Sequence, residues 1–223
     1  MFKIDDEKLQ HAHDALHHVK PWRDQDDMIN SLEYLCAFHK SLCDDYYNPD
    51  RVLKFAKKIC DFINAALDKD NGLRHKIAEY ENLNEAERKN VILKLFNVLS
   101  EFSPEVKHIG IGFLNKQTKT TARAYHDQNR IEFYNVGSNP QMSNYKDLIF
   151  IVTHEFTHLL QNIGASTIPG YIVEQAAKHS CSSAGFSDCG DEVKKLAGSV
   201  WRNNILEKEA IVVGDYCIEN IEV

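Results

Sequence analysis

The chain has 223 residues, 43% of them hydrophobic and 26% charged, with a net charge of −7. These proportions exclude a disordered or low-complexity polypeptide, and a chain of this length buries most of the surface that its unfolded form exposes. A mildly acidic balance with no clustered Lys/Arg stripe excludes the electrostatic footprint of a nucleic-acid binder.

The opening MFKIDDEKLQHAHD is charged within its first six residues and lacks an apolar core. A secretory signal is therefore not expected, and the expected location is cytoplasmic, with export by a signal-less route left open. The longest apolar run, Leu148 to Val152, is far short of the roughly 20 residues that span a bilayer, so no membrane partner is expected.

Hydrophobic spacing predicts helices through the first hundred residues. The first to carry a clear stripe covers about Asp27 to Cys43. In DRVLKFAKKICDFINAALDKDNG, Val52, Leu53, Ala56, Ile59, Cys60, Ile63 and Leu67 recur at helical spacing, with Asn71-Gly72 as the expected stop. NEAERKNVILKLFNVLSEFSP repeats the design. Asn84 is its candidate N-cap, Val91, Ile92, Leu95, Phe96 and Leu99 face a core, and Pro104 ends it. His13 and His17 are also i, i+4, but without an acidic or thiolate third ligand they read as a polar helix face.

After Pro104 the texture changes. HIGIGFL and TARAYHDQNRIEFYNV carry β-branched and aromatic residues around a polar turn at Asp127-Gln128-Asn129, the pattern of short strands and a hairpin. RIEFYN is expected at a sheet edge, where it could pair with an extended substrate. A helix begins near Tyr145, capped by Ser143 or Asn144, and three more follow near Pro169 to Ser180, Asp191 to Asn203 and Ile205 to Glu219. The expected organisation is α+β, with a helical region over residues 1–104 packed on a core over residues 105–223 in one structural domain.

The six cysteines are scattered without CxxC pairs and read mostly as buried small hydrophobes. Cys181 and Cys189 bracket the polar CSSAGFSDC and are expected to be free thiols, with a disulfide or a metal pair as the alternatives.

The chemistry concentrates in DLIFIVTHEFTHLLQ, residues 147–161. His154 and His158 are i and i+4 on an apolar helix, so both imidazoles can reach one tetrahedral ion from the same face. Glu155 is rotated about 100° from His154, beside the ion and off the ligand face, where a carboxylate can act as base toward water. A buried helix with three such groups needs partners for them, and a divalent ion compensates all three at once.

HEFTH followed by LLQ resembles the active-site helix of zincin metallopeptidases of the glutamate-ligand, or gluzincin, branch, including small bacterial proteins with an HExTHxxQ helix. The resemblance covers about residues 108–220. It implies a small mixed or antiparallel sheet before the HExxH helix, a bound Zn2+ and hydrolysis of peptide or protein substrates. His154 and His158 would be metal ligands and Glu155 the general base. The third ligand would be a glutamate from a later helix. LEKEAIVVGDY resembles the ExxA segment of those bacterial proteins and selects Glu207, and Ala210 and Gly214 leave a small-residue face beside it. IPGYIVEQAA resembles the corresponding segment of plant basic secretory proteins and selects Glu174, although Gln175 stands where those proteins have Gly. Glu207 ranks first, Glu174 second and Glu209 third. Tyr171, Tyr216, His179, Arg202 and His126 are candidates to stabilise an oxyanion. The alternatives are a non-catalytic metal-binding protein, whose site would be closed by a fourth ligand such as Cys181, Cys189 or His179, and a metallohydrolase with a non-peptide substrate.

Overall fold

The computed structural model describes residues 2–17, 22–106, 109–116, 118, 120–125, 130–181, 186 and 188–223. Its elements run α1 (Asp6–Leu16), α2 (Gln25–Tyr46), α3 (Pro49–Leu67), α4 (Asn71–Ala78), α5 (Glu85–Phe102), β1 (Gly110–Leu114), β2 (Ala122–Tyr125), β3 (Arg130–Tyr134), α6 (Tyr145–Asn162), α7 (Gly170–Lys178), α8 (Asp191–Asn203) and α9 (Ile205–Asn220). This is the expected α+β class, mostly helical with one small mixed sheet. No helix among the described residues is long and apolar enough to cross a membrane.

The chain divides into two compact units, one of Met1–Asn48 with Ile168–Lys208, the other of Pro49–Thr167 with Glu209–Val223. The units meet along the chain after Asn48, Thr167 and Lys208, and none of these points is the expected division after residue 104. The apolar stripes of α3 and α5 share one core with the sheet and with α6, so these helices are part of the second unit. In that core Ile59, Ile63, Leu95, Phe133, Val152 and Phe156 are buried together.

The local signals in the second unit act largely as their chemistry dictates. Asn84 forms a reciprocal capping box with Glu87 at the start of α5, with Glu87 N donating to Asn84 Oδ1 over 3.0 Å and Asn84 N donating to Glu87 Oε2 over 3.1 Å. Leu53, by contrast, sits at the margin of the α3 stripe and is 45% exposed. Asn71-Gly72 does not stop α3, which ends at Leu67, but opens α4, because Asp70 caps that helix by accepting from Leu73 N over 2.9 Å.

The sheet order is β1-β3-β2, with β1 parallel and β2 antiparallel to β3. Gly110 stands opposite Arg130 across the first pair, and Ala122 opposite Phe133 across the second. RIEFY is thus the central strand, and the expectation of an edge strand is corrected. The reason is burial on both faces. Ile131 and Phe133 face the core, and Glu132, which reads as the solvent-facing residue of the alternation, is itself 4% exposed. Its carboxylate is satisfied by the hydroxyls of Tyr125 and Tyr134, at 3.0 and 2.7 Å, and by an ion pair with Arg130. The turn at 127–129 lies outside the described residues.

In the first unit α1, α2, α7 and α8 enclose a separate core around Leu32, Leu35, Phe38, Ile172 and Val200. Asp27 ties its helix start to neighbours, accepting from Arg23 Nη2 over 3.0 Å and standing 3.0 Å from His11 Nε2. All six cysteines are free; Cys181 is buried and Cys189 half-buried, while residues 182–185 and 187 between them lie outside the description.

Candidate metal centre

The helix that carries the centre is strongly specified at both ends. Asn144 Oδ1 accepts from Lys146 N and Asp147 N over 2.9 and 3.0 Å, and Asp147 adds an anion to the first turn. At the far end Gly164 adopts φ 71°, and Ala165 N reaches back to Leu160 O over 2.8 Å, which closes the last turn. Two polar residues between them are satisfied inside the helix. Thr153 Oγ1 donates to Ile149 O over 2.7 Å and Thr157 Oγ1 to Thr153 O over 2.8 Å, so fully buried hydroxyls carry no unmet donor.

His154 and His158 meet as their spacing requires. Their Nε2 atoms are 3.1 Å apart, and the rings stand nearly perpendicular at 89° with centroids 4.7 Å apart. Glu207, on the first turn of α9, completes the group: one ligand atom from each of the three residues lies within 4.8 Å of the others. This group can hold a metal ion. Two imidazoles and a carboxylate suit several divalent first-row ions, zinc among them, and two nitrogens on one tetrahedral ion with metal–nitrogen bonds of about 2.0–2.1 Å stand about 3.3 Å apart. The observed 3.1 Å agrees with that spacing. Glu155 follows His154 on the same helix and is buried, at 8% exposure.

The other two glutamates differ. Glu174 is exposed on α7 in the first unit and is not part of the group. Glu209 is fully buried, but both of its oxygens are engaged: Oε2 accepts from Gln161 Nε2 over 2.9 Å, and Oε1 accepts from Thr167 N over 2.9 Å and Thr167 Oγ1 over 2.5 Å. It is not part of the group. Gln161 in turn places Oε1 2.8 Å from His158 Nδ1. Neither role is visible from spacing alone; the signal in the sequence is the glutamine three residues after His158, one turn along the same face.

The approach of α9 to α6 depends on small residues. A β-carbon at Gly214 would stand 2.6 Å from the Phe150 ring, and Ala210 is fully buried. The expected small-residue face beside Glu207 is present. Asp215 lies on the same helix; partial burial and the like charge of Glu219 push its carboxyl up, against the opposing effect of His154.

Of the residues considered for an oxyanion, Tyr216 lies on α9 in the second unit, whereas Tyr171, His179 and Arg202 belong to the first and His126 is outside the described residues. His13 and His17 use their rings on a main-chain acceptor, Lys178 O, at 3.0 and 3.4 Å, which agrees with a structural helix face. Comparison with known proteins finds no matching family model, no similar curated protein and no similar solved structure.

Proposed function

We propose that the chain is a zinc-dependent metallopeptidase of the gluzincin type, with His154, His158 and Glu207 as metal ligands and Glu155 as general base. The observation that carries this reading is the convergence of one ligand atom from each of the three residues within 4.8 Å. Bound there, zinc supplies a Lewis acid and lowers the pKa of a water to ~7. Glu155 accepts the proton of the water that attacks the scissile carbonyl and delivers it to the leaving amine, which a carboxylate off the ligand face is free to do. The uncharged residues beside it, among them Val152, Thr153, Phe156, Thr157, Leu159 and Leu160, are buried, a low-dielectric setting that strengthens its interactions. A peptide or protein is the substrate class. The test is zinc content of protein purified without chelator, followed by a peptide-library screen: about one zinc per chain and cleavage sensitive to chelation support the reading, and absence of bound metal overturns it.

A further inference from the structure

Gln161 and Glu209 are both fully buried, on facing stretches of α6 and α9 in one unit. A carboxylate offers acceptors only, and donors converge on Glu209 from Thr167 N, Thr167 Oγ1 and the Gln161 side chain. The end of Gln161 that meets Glu209 is therefore its NH2 group, which leaves the amide oxygen toward His158 Nδ1 at 2.8 Å. An amide oxygen accepts and cannot donate, so Nδ1 of His158 carries the proton. In a neutral imidazole the other nitrogen then holds the lone pair. That nitrogen, Nε2, is the one turned toward His154 Nε2 at 3.1 Å.

We propose that Glu209 is a positioning residue which, through Gln161, locks His158 in the Nδ1–H tautomer and keeps its Nε2 lone pair available to a metal ion. The inference rests on the metal-centre reading above, since a metal is what the lone pair serves. The lock is firm because the alternative is poor. Turning the Gln161 amide over would set its oxygen against the Glu209 carboxylate and its NH2 against the Nδ1 proton, two unsatisfied contacts in a site without solvent.

The polarity of the relay can be inverted with almost no change in shape. In Glu209→Gln the new amide keeps an oxygen for Thr167 and turns its NH2 toward Gln161, which must then present oxygen to it and NH2 to His158, so the proton moves to Nε2. In the exchanged pair Gln161→Glu with Glu209→Gln, the carboxylate accepts from both His158 Nδ1 and the amide at 209, and the original tautomer returns. Nitrogen NMR of the His158 ring in the metal-free full chain at neutral pH reads this directly, and zinc affinity is read by chelator competition. The expected result is Nδ1–H in the wild type and the exchanged pair, Nε2–H in Glu209→Gln, with a zinc affinity loss in that variant on the order of 10- to 100-fold that the exchange reverses. An Nε2–H wild type, an unchanged tautomer in Glu209→Gln, or unchanged zinc affinity there overturns the proposal. If Glu209→Gln fails to fold, the wild type and the exchanged pair still decide it, because either one showing Nε2–H overturns the relay. A wild type that shows Nδ1–H yet binds no zinc separates the outcomes, overturning the peptidase reading while the tautomer assignment stands.

Discussion

Phe150 stacks on His154, their ring centroids 5.5 Å apart and their planes inclined by 27°. The Phe150 ring is also so close to Gly214 that no β-carbon fits there without displacement, the nearest approach being 2.6 Å. A backbone position on α9 is thus coupled to His154 on α6 through one aromatic ring.

Gly214→Ala is expected to displace that ring and, with it, the His154 imidazole. Overpacking of this kind costs about 1–3 kcal/mol, and zinc affinity should fall together with stability. Urea denaturation and a chelator-competition titration check both. Unchanged stability and affinity would show that α9 can shift to accommodate the methyl group.

On the proposed ligand set, Glu207→Ala should weaken zinc binding strongly, because it would delete a coordination bond, whereas the exposed Glu174→Ala should change stability by no more than about 0.5 kcal/mol and leave zinc affinity as it is. Removing a metal that binds only the folded state lowers stability by about 4 kcal/mol when the free metal was at a thousand times its Kd. Thermal unfolding of wild type and both variants, with zinc and with chelator, separates the two carboxylates: a chelator-sensitive Tm that survives Glu207→Ala and vanishes in Glu174→Ala would reassign the ligand.

Glu155→Gln should retain zinc and fold but lose hydrolysis by at least on the order of a hundredfold, since glutamine keeps the size and cannot accept a proton at neutral pH. The loss belongs in kcat before KM. Equal rates for wild type and variant on a peptide found by library screening would remove Glu155 from the base role.

The first unit should lose stability in mild acid. His39 and His179 are buried, and desolvation lowers each imidazole from an ordinary value near 6.5 to about 4, with His13, Lys178, His39 and His17 adding to the effect at His179. His39 Nε2 lies 3.0 Å from His179 O, a bond the neutral ring already makes by donating. In each case the folded pKa lies below the unfolded one, so the unfolded chain binds the extra proton between those values. The contribution is intact above about pH 6.5 and is lost as pH falls toward 4, amounting to roughly 3 kcal/mol for His39. His39→Gln, which can still donate to His179 O, should flatten the dependence of the urea midpoint on pH between 7.5 and 4. A variant with the same slope as wild type would assign the acid sensitivity elsewhere.

How far the molecule is legible in its sequence depends on the range of the interaction concerned. The meeting of His154 and His158 follows from helical pitch alone, because residues four apart share a face in any α-helix. The ends of α5 and α6 follow from Asn84 and Asn144, whose side chains reach amides only two or three residues away. These are local effects, and local sequence determines them. The third member of the group is different: Glu207, Glu174 and Glu209 are all glutamates on helices, and the small residues Ala210 and Gly214 favour Glu207 without fixing which one meets the histidines. The contact of Gly214 with Phe150 and the bonds of Glu209 to Gln161 and Thr167 set how α9 lies on α6, and they bring Glu207 to the histidines while turning Glu209 away from them. The same limit governs β3, whose alternation suits an edge strand until Tyr125, Tyr134 and Arg130 enclose Glu132 and allow a carboxylate at the centre of a sheet. A buried charge is permitted only by partners that arrive from elsewhere in the chain, and their arrival is a property of the packed structure.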